Sequence, residues 1–392
     1  MRFPPPAKAG GFQRIIPMNS SMHLEGSLHI RKRAREMGIN IGRFKPGEYN
    51  AITDVPGVKV GQTTLISGEG ALKTGEGPVR TGVTVVIPGE NIHHEPVFAG
   101  SHILNGCGEM TGLAWIGEAG KLSSPVAITN TYSVGIVHDA LIALDTSPGL
   151  PVVAETWDGW LNDIKGMHVR LEHVKAALES ASSGEVSEGC VGGGTGMICH
   201  GFKGGIGTSS RVLPEAVGGW MVGVLVQANH GDRKQLRVDG VPVGREIPHE
   251  EVPTPFASFE TVLEGGSSII VVVATNAPLL PTQCRRLAQR ATLGVGRAGG
   301  LGENTSGDIF IAFSTANRGL YGAPNSYQPI DVQMLPDHAL DYLFEAVSDA
   351  TEESIVNALC AATPMSGVDG RTVYGLPLER LAEVVQKYGR LD

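Results

Sequence analysis

The apolar residues of this chain recur in short, β-branched runs that glycine, proline or polar residues interrupt, a pattern that predicts buried strands. The run at 269–274 reads IIVVVA and has no polar alternation, so both faces of that strand must be covered. We therefore expect helices on both sides of a sheet, in a layered α/β domain. The predicted strands cover residues 83–87, 126–129, 221–228, 269–275 and 308–314.

Three other stretches carry apolar residues at helical spacing. One helix is predicted from a cap at Thr282 to about Leu293, and a second is predicted to begin near Asp337. A third is predicted to follow Trp157 and to run through Leu171. Residues 1–25 are Pro-rich and basic and are expected to form a disordered tail, with 26–392 as one domain.

Composition narrows the class of protein. The 392 residues include 54 glycines, are 41% hydrophobic and 18% charged, and carry a formal net charge of -9. This combination excludes a disordered chain and a coiled coil, and the acidic balance argues against a nucleic-acid partner. No apolar run reaches the length of about 18 residues that a membrane span needs. Five cysteines without a CxxC pair favour reduced thiols and a cytoplasmic location.

Two patterns that can indicate a cofactor site occur here without the neighbouring elements or the residue spacing that such a site needs. The stretch 294–299, GVGRAG, fits GxGxxG, but a predicted helix precedes it where a nucleotide site needs a strand, so we interpret it as a helix C-cap with a glycine turn. Several loop histidines stand near acidic residues without the spacing of metal ligands, so neither a metal nor another cofactor is predicted. These residues are His93, His94, Glu95, His102 and Glu109.

Ser268 stands where a Pro- and Glu-rich segment, 244–267, meets the most hydrophobic strand of the chain. If the peptide bond before it were cut, its α-amino group, with a pKa near 7.7–8.0, would lie within reach of its hydroxyl as a general base. The residue pattern alone favours the simpler interpretation that Ser268 only begins a strand.

Longer motifs favour the interpretation of Ser268 as a nucleophile. The stretches SIIVVVATNAPLLP at 268–281 and NTSGDIFIAFSTAN at 304–317 closely resemble the DmpA-type aminopeptidases. This is the L-aminopeptidase/D-amidase-esterase family, which includes the β-peptidyl aminopeptidases. The resemblance covers about residues 30 to 380, and further matches are NAITDVPG (50–57), TNTYSVG (129–135), VGGGTGM (191–197), FKGGIGTSS (202–210) and VQANHG (226–231).

The resemblance implies a four-layer αββα sandwich, similar to the N-terminal-nucleophile hydrolases but with a distinct chain topology. It implies a chain that cleaves itself before Ser268 into an α chain, 1–267, and a β chain, 268–392. The mature enzyme would release N-terminal amino acids from peptides, amides or esters. It would form a homo-oligomer, a tetramer of αβ units, and its preference among L-α-, D-α- and β-amino acids stays open.

Residue roles follow from the same resemblance. Ser268 would be the nucleophile, and Ser306 and Asp308 would complete the catalytic group around the new α-amine. Asn229 would donate its amide to the oxyanion, and Glu155, in AETWDG at 154–159, would bind the free amino group of the substrate. Without the resemblance, simpler roles would be preferred: Asp308 as a residue that begins a strand, Asn229 as a turn residue, and Glu155 as a charge at the start of a helix.

Two positions depart from the family pattern. Trp157, assigned to substrate binding, stands where many members have a tyrosine, and an indole N–H can donate but cannot accept a hydrogen bond. Ser267 precedes the nucleophile where relatives often have glycine or asparagine, which leaves cleavage before Ser267 as an alternative, although the strand register favours Ser268.

Two other functions are alternatives to an aminopeptidase. The related ornithine acetyltransferases also process themselves, but they expose a threonine, and Ser268 argues against them. A non-enzymatic, glycine-rich binding protein would stay intact.

Overall fold

Two β-sheets stack face to face, and each carries helices on its outer face. A four-stranded sheet has the order β1-β2-β5-β6, and a six-stranded sheet has the order β4-β3-β12-β11-β10-β9. Their strands are β1 (Lys59–Ser67), β2 (Val79–Ile87), β3 (Val97–Gly106), β4 (Lys121–Leu122), β5 (Val126–Asn130), β6 (Val152–Thr156), β9 (Gly205–Val212), β10 (Met221–Asn229), β11 (Ser267–Thr275) and β12 (Ser306–Ser314). Two small hairpins pair β7 (Ile198–Cys199) with β8 (Phe202–Lys203) and β13 (Met365–Ser366) with β14 (Thr372–Val373).

This computed structural model describes residues 31–145, 150–255, 267–323 and 325–391. The predicted tail, 1–25, and residues 256–266 of the segment before Ser268 lie outside the described residues.

The described helices are α1 (Leu113–Ala119), α2 (Val134–Ala143), α3 (Leu171–Glu179), α4 (Val243–Glu246), α5 (Pro281–Ala298), α6 (Leu340–Ala361) and α7 (Leu378–Lys387). Short 3-10 turns lie at Arg35–Met37, Ile52–Asp54, Thr131–Ser133, Ile164–Gly166, Gly192–Gly194, Glu215–Val217, Arg233–Gln235, Asp337–Ala339 and Val368–Gly370. None of the described helices is both long and apolar enough to cross a membrane.

The four layers arise from the alternation of side chains along the strands. In β11, Ile269, Val271 and Val273 pack with α5 and α6, whereas Ile270, Val272 and Ala274 pack between the sheets. On the other sheet, alternate residues of β2, β5 and β6 pack against α2 and α3. Burying each valine or isoleucine side chain of these strands stabilises the fold by about 1.5–3 kcal/mol. The predicted αββα sandwich and the two-sided burial of the 269–274 strand are confirmed.

Two of the three helix predictions need correction. Helix α5 does not end at Leu293 but continues to Ala298, and Gly299, with φ +103°, ends it as the predicted glycine cap. Gly294 does not form a turn but allows α5 and α6 to pack closely, because a Cβ there would lie 2.5 Å from the carbonyl oxygen of Ser348 in α6. The N-cap is Leu280, not Thr282, and its side chain forms no capping hydrogen bond.

The helix predicted after Trp157 is wrong over most of its length. Residues 157–163 are non-helical, a single 3-10 turn covers Ile164–Gly166, and α3 begins only at Leu171. The apolar residues that suggested the helix are buried in other ways: Leu161, for example, packs with Ile198 and Val373. The helix predicted near Asp337 is confirmed, since a 3-10 turn from Asp337 leads directly into α6.

Candidate active site

The ends of three neighbouring strands bring together residues that are far apart in the sequence. Strand β10 runs antiparallel to β11 and places Asn229 directly opposite Ser268. Strand β12 runs parallel to β11 on its other side and places Ser306 beside Ser267 and Gly307 beside Ser268. The sheet therefore gathers the predicted catalytic residues around the Ser267–Ser268 peptide bond.

The hydroxyl of Ser268 lies against the peptide bond that precedes it. Its Oγ donates to the carbonyl oxygen of Ser267 at 2.5 Å and accepts from the backbone N–H of Gly307 at 3.3 Å. The side chain is largely buried, with 4% of its surface exposed. The nucleophile predicted from the sequence is thus held beside the carbonyl group that self-cleavage would require it to attack.

Ser306 and Asp308 form a hydrogen-bonded pair next to this bond. Ser306 Oγ donates to Asp308 Oδ1 at 2.6 Å and also contacts Ser267 Oγ at 3.3 Å. The pKa of Asp308 is raised to about 6, chiefly because burial disfavours the charged form; the hydrogen bond from Ser306 acts against this rise, and the charge of Glu303 adds to it. Asp308 Oδ2 is buried and has no hydrogen-bond partner among the described residues. The pair therefore offers an unused acceptor close to the start of β11.

Asn229 is held by two backbone groups. Its Oδ1 accepts from the N–H of Ile198 at 2.8 Å, and its Nδ2 donates to the carbonyl oxygen of Trp157 at 3.0 Å. These bonds fix the orientation of the amide, and Nδ2 carries a second N–H. Trp157 contributes its backbone here, whereas its indole lies against Gly159, where a Cβ would approach the ring to 2.6 Å.

Glu155 reaches the same region from the other sheet. It lies near the end of β6 with 3% of its surface exposed, and its carboxylate accepts from the backbone N–H of Glu109 at 3.0 Å and from Thr131 Oγ1. Burial raises its pKa, and these two hydrogen bonds lower it in part. A Cβ on Gly108 would lie 3.1 Å from Glu155 Oε1 and 2.9 Å from the Cα of Gly307, so the carboxylate is close to the residue beside Ser268.

Two buried ionisable residues near this site were not predicted. Burial raises the pKa of Asp158 to about 7, and its carboxylate accepts from Asn162 Nδ2 at 3.0 Å. The ammonium group of Lys203 donates to the carbonyl oxygens of Met197 and Gly204 at 2.7 and 2.9 Å. Lys203 thus fixes the loop that presents the N–H of Ile198 to Asn229. Asp158 lies in the motif AETWDG and Lys203 in the motif FKGGIGTSS, so the resemblance to the family could have indicated both residues.

The loop histidines considered for a metal do not gather into a site among the described residues. The rings of His93 and His94 lie 4.0 Å apart and are tilted by 48°, whereas His102 lies in strand β3 and not in a loop, 6.2 Å from the ring of Phe310. The described group with ligand atoms spaced for a metal ion is a different one, Cys199 with His200 and His230.

An αββα sandwich with a serine at the start of a central strand defines a hydrolase of the N-terminal-nucleophile class. The chain belongs to peptidase family S58, whose family model matches residues 50–373. It is 50% identical over 371 residues to β-peptidyl aminopeptidase BapA of Sphingosinicella microcystinivorans, covering 92% of this chain and 93% of the relative. It is 44% identical to the protein of the same name from Sphingosinicella xenopeptidilytica, covering 90% and 91%.

Solved structures agree with this assignment. The chain superposes on a β-aminopeptidase of Burkholderia sp. with a TM-score of 0.83 and 51% identity, over 91% of this chain and 99% of the other. An L-aminopeptidase D-Ala-esterase/amidase from Ochrobactrum anthropi, described as a prototype for the serine aminopeptidases and a variant of the Ntn hydrolase fold, gives 0.82 and 45%, over 92% and 99%. The chain is a serine aminopeptidase, as expected, which decides against the acetyltransferase and the binding protein.

Proposed function

We propose that the chain is made as an inactive precursor, cuts its own Ser267–Ser268 bond, and then removes N-terminal residues, β-amino acids among them, from peptides, amides and esters. The two products of self-cleavage would be 1–267 and 268–392. The observation that carries the proposal is the 2.5 Å contact between Ser268 Oγ and the carbonyl oxygen of Ser267. It supports an attack by this hydroxyl on its own preceding peptide.

In the first step, Ser268 Oγ bonds to the carbonyl carbon of Ser267, and the bond from that carbon to the nitrogen of Ser268 breaks. The hydroxyl proton passes to the departing nitrogen, which becomes the free α-amine, and an ester joins Ser267 to Ser268 Oγ. Water then hydrolyses the ester and restores the hydroxyl. The N–H of Gly307, 3.3 Å from Oγ, holds the nucleophile in place.

In the mature enzyme, the α-amine of Ser268 would act as the general base for Oγ, with an ordinary pKa of about 7.7–8.0. Ser306 would bridge this amine to Asp308, whose unused Oδ2 would accept from the ammonium form. The amide of Asn229 would donate to the tetrahedral oxyanion, a contribution of about 10²–10³ in rate. After the amine product leaves, water would hydrolyse the acyl-enzyme.

Glu155 would bind the ammonium group of the substrate, so the enzyme would require an unblocked N-terminus. Its burial supports this role, because a buried carboxylate gains most from a cationic partner. The 50% and 44% identities to two β-peptidyl aminopeptidases support activity on β-amino acid residues. A panel of β-, L-α- and D-α-aminoacyl anilides tests this preference, and a lack of turnover of every β-aminoacyl member would contradict it.

A cytoplasmic location and a homo-tetramer of αβ units complete the proposal. All five cysteines are free in the structure, which supports a reducing compartment. Light scattering of the purified protein tests the tetramer, and fractionation of the source cells tests the location.

Self-cleavage is tested by denaturing electrophoresis with N-terminal sequencing of the smaller fragment. We expect two bands and a fragment that begins Ser-Ile-Ile, while Ser268→Ala gives one band and no activity. Ser267→Ala is the matched control and should be cut at the same bond. A fragment that begins Ser-Ser-Ile, or an intact chain that still hydrolyses aminoacyl anilides, would overturn the mechanism.

A further inference from the structure

Cys199, His200 and His230 form a buried cluster that the aminopeptidase mechanism does not use. The first two lie at the end of β7 and in the turn after it, and His230 directly follows β10. One ligand atom from each lies within 4.8 Å of the others, and no more than 3% of any of the three residues is exposed. Cys199 Sγ is 3.9 Å from His230 Nδ1, and the two imidazole rings are 5.1 Å apart.

Both imidazoles present an unused nitrogen. Nε2 of His200 and Nε2 of His230 are buried and have no hydrogen-bond partner among the described residues. Nδ1 of His200 lies 3.0 Å from the carbonyl oxygen of Asp232, which can only accept. A neutral His200 therefore carries its proton on Nδ1 and leaves a lone pair on Nε2, the form that binds a metal.

Two glycines hold these rings in fixed positions. A Cβ on Gly231 would lie 2.3 Å from Cε1 of His200, and a Cβ on Gly300 would lie 2.9 Å from Cδ2 of His230. Because the backbone packs directly against each ring, neither ring can turn far from its place. The cluster is thus arranged before any ligand arrives, which lowers the entropic cost of binding.

We propose that Cys199, His200 and His230 bind one Cu(I) ion. A thiolate and two imidazoles are ligands that soft metals favour. One thiolate and two neutral imidazoles balance a single positive charge, whereas a divalent ion would leave a buried net charge. Binding forms the Cu–S bond as the thiol of Cys199 loses its proton to solvent. The charges that act on Cys199 and His200 are those of Lys203 and Arg233, which are positive, and of Asp232 and Glu303, which are negative.

The cluster also adjoins the amide proposed for the oxyanion. Ile198, whose N–H holds Asn229, precedes Cys199, and His230 follows Asn229 in the chain. The N–H of His200 donates to the carbonyl oxygen of His230 at 2.7 Å. A metal that joins Cys199 to His230 would therefore cross-link the two segments that position Asn229, and we expect the loaded protein to unfold at a higher temperature.

The test is a Cu(I) competition titration of the full-length protein against a chromophoric Cu(I) chelator, under anaerobic, reducing conditions. Cys284 is also fully buried and free, so Cys284→Ser is the matched control for Cys199→Ser. We expect wild type and Cys284→Ser to hold one more Cu(I) than Cys199→Ser. Equal copper content in all three would overturn the proposal, because the exposed thiol of Cys107 would then explain the binding.

A second measurement does not depend on the variants folding. X-ray absorption of the copper-loaded wild type should show Cu(I) with one sulfur and two nitrogen neighbours, and the melting temperature should rise on loading. A shell with two or more sulfurs, or a site that takes Zn²⁺ in preference to Cu(I), would contradict the proposal.

Discussion

Replacing Asp308 with asparagine is expected to stabilise the uncut precursor at neutral pH while it removes the carboxylate proposed for catalysis. Burial raises the pKa of Asp308 from 3.8 to about 6, so the folded protein holds the proton more tightly than the unfolded chain does. About two pKa units correspond to about 3 kcal/mol of unfolding free energy. The asparagine keeps an oxygen that can accept from Ser306, so the hydrogen bond survives while the buried charge disappears.

The sign of the pH dependence follows from the raised pKa. Above about pH 6 the wild-type carboxyl is ionised in both states and carries the full cost of burial, so the variant gains most there. Below about pH 4 the carboxyl is protonated in both the folded and the unfolded chain, and the gain vanishes. The difference in stability between the two proteins should therefore grow as the pH rises from 4 through 6.

Urea unfolding measures this difference, with Ser268→Ala in both proteins so that neither is cut. The comparison is Ser268→Ala against Ser268→Ala/Asp308→Asn, at several values between about pH 4 and pH 8. Asp331→Asn, which changes an exposed carboxyl, is the control and should have little effect. A difference that stays constant with pH, or a variant that is less stable at pH 8, would refute the reasoning.

Two single substitutions and one pair of glycine variants test other parts of the structure. Asn229→Ala should lower kcat for aminoacyl anilides by about 10²–10³, because it removes the proposed oxyanion donor, and an unchanged kcat would contradict that role. Glu155→Gln should raise KM for unblocked substrates by about 10- to 100-fold, since a hydrogen bond to a charged group contributes about 1.5–3 kcal/mol; steady-state kinetics with equal KM would exclude it. Gly294→Ala should lower the unfolding free energy by about 1–3 kcal/mol through its clash with Ser348, whereas Gly296→Ala, which meets nothing within 4 Å, should raise it by about 0.5–1 kcal/mol. Equal melting temperatures of the two glycine variants would show that the helix contact is not tight.

Five strands, β2, β5, β10, β11 and β12, were predictable because their signal is local, whereas the other described strands were not predicted. Six consecutive apolar residues in β11 require cover on two faces wherever the strand lies, so the layered fold follows from a short window of sequence. The end of α5 was not predictable in the same way. Gly294 resembles a helix terminator in sequence, and only the approach of α6 shows that it sits inside the helix.

The residues of the candidate site came from motif resemblance and not from spacing. Asn229 and Ser268 are adjacent because β10 and β11 pair in one register, and no local pattern specifies that pairing. Glu155 comes from the other sheet, so its approach depends on how the two sheets stack. The positions of Ile198 and Lys203 depend on a loop whose shape is set by buried hydrogen bonds, which a hydrophobic pattern does not report.

Strand β11 lies between β10 and β12 in the middle of the six-stranded sheet. This position determines whether folding or the proposed cleavage comes first. The groups that surround the Ser267–Ser268 bond meet only after both neighbours have paired with β11, so a chain that cuts itself there must fold first. The proposed cleavage would then occur only in correctly folded copies, since a misfolded copy would remain whole and inactive. After the proposed cut, the hydrogen bonds to β10 and β12 would keep the new terminus in place, and the two polypeptides would separate only when the sheet itself unfolds.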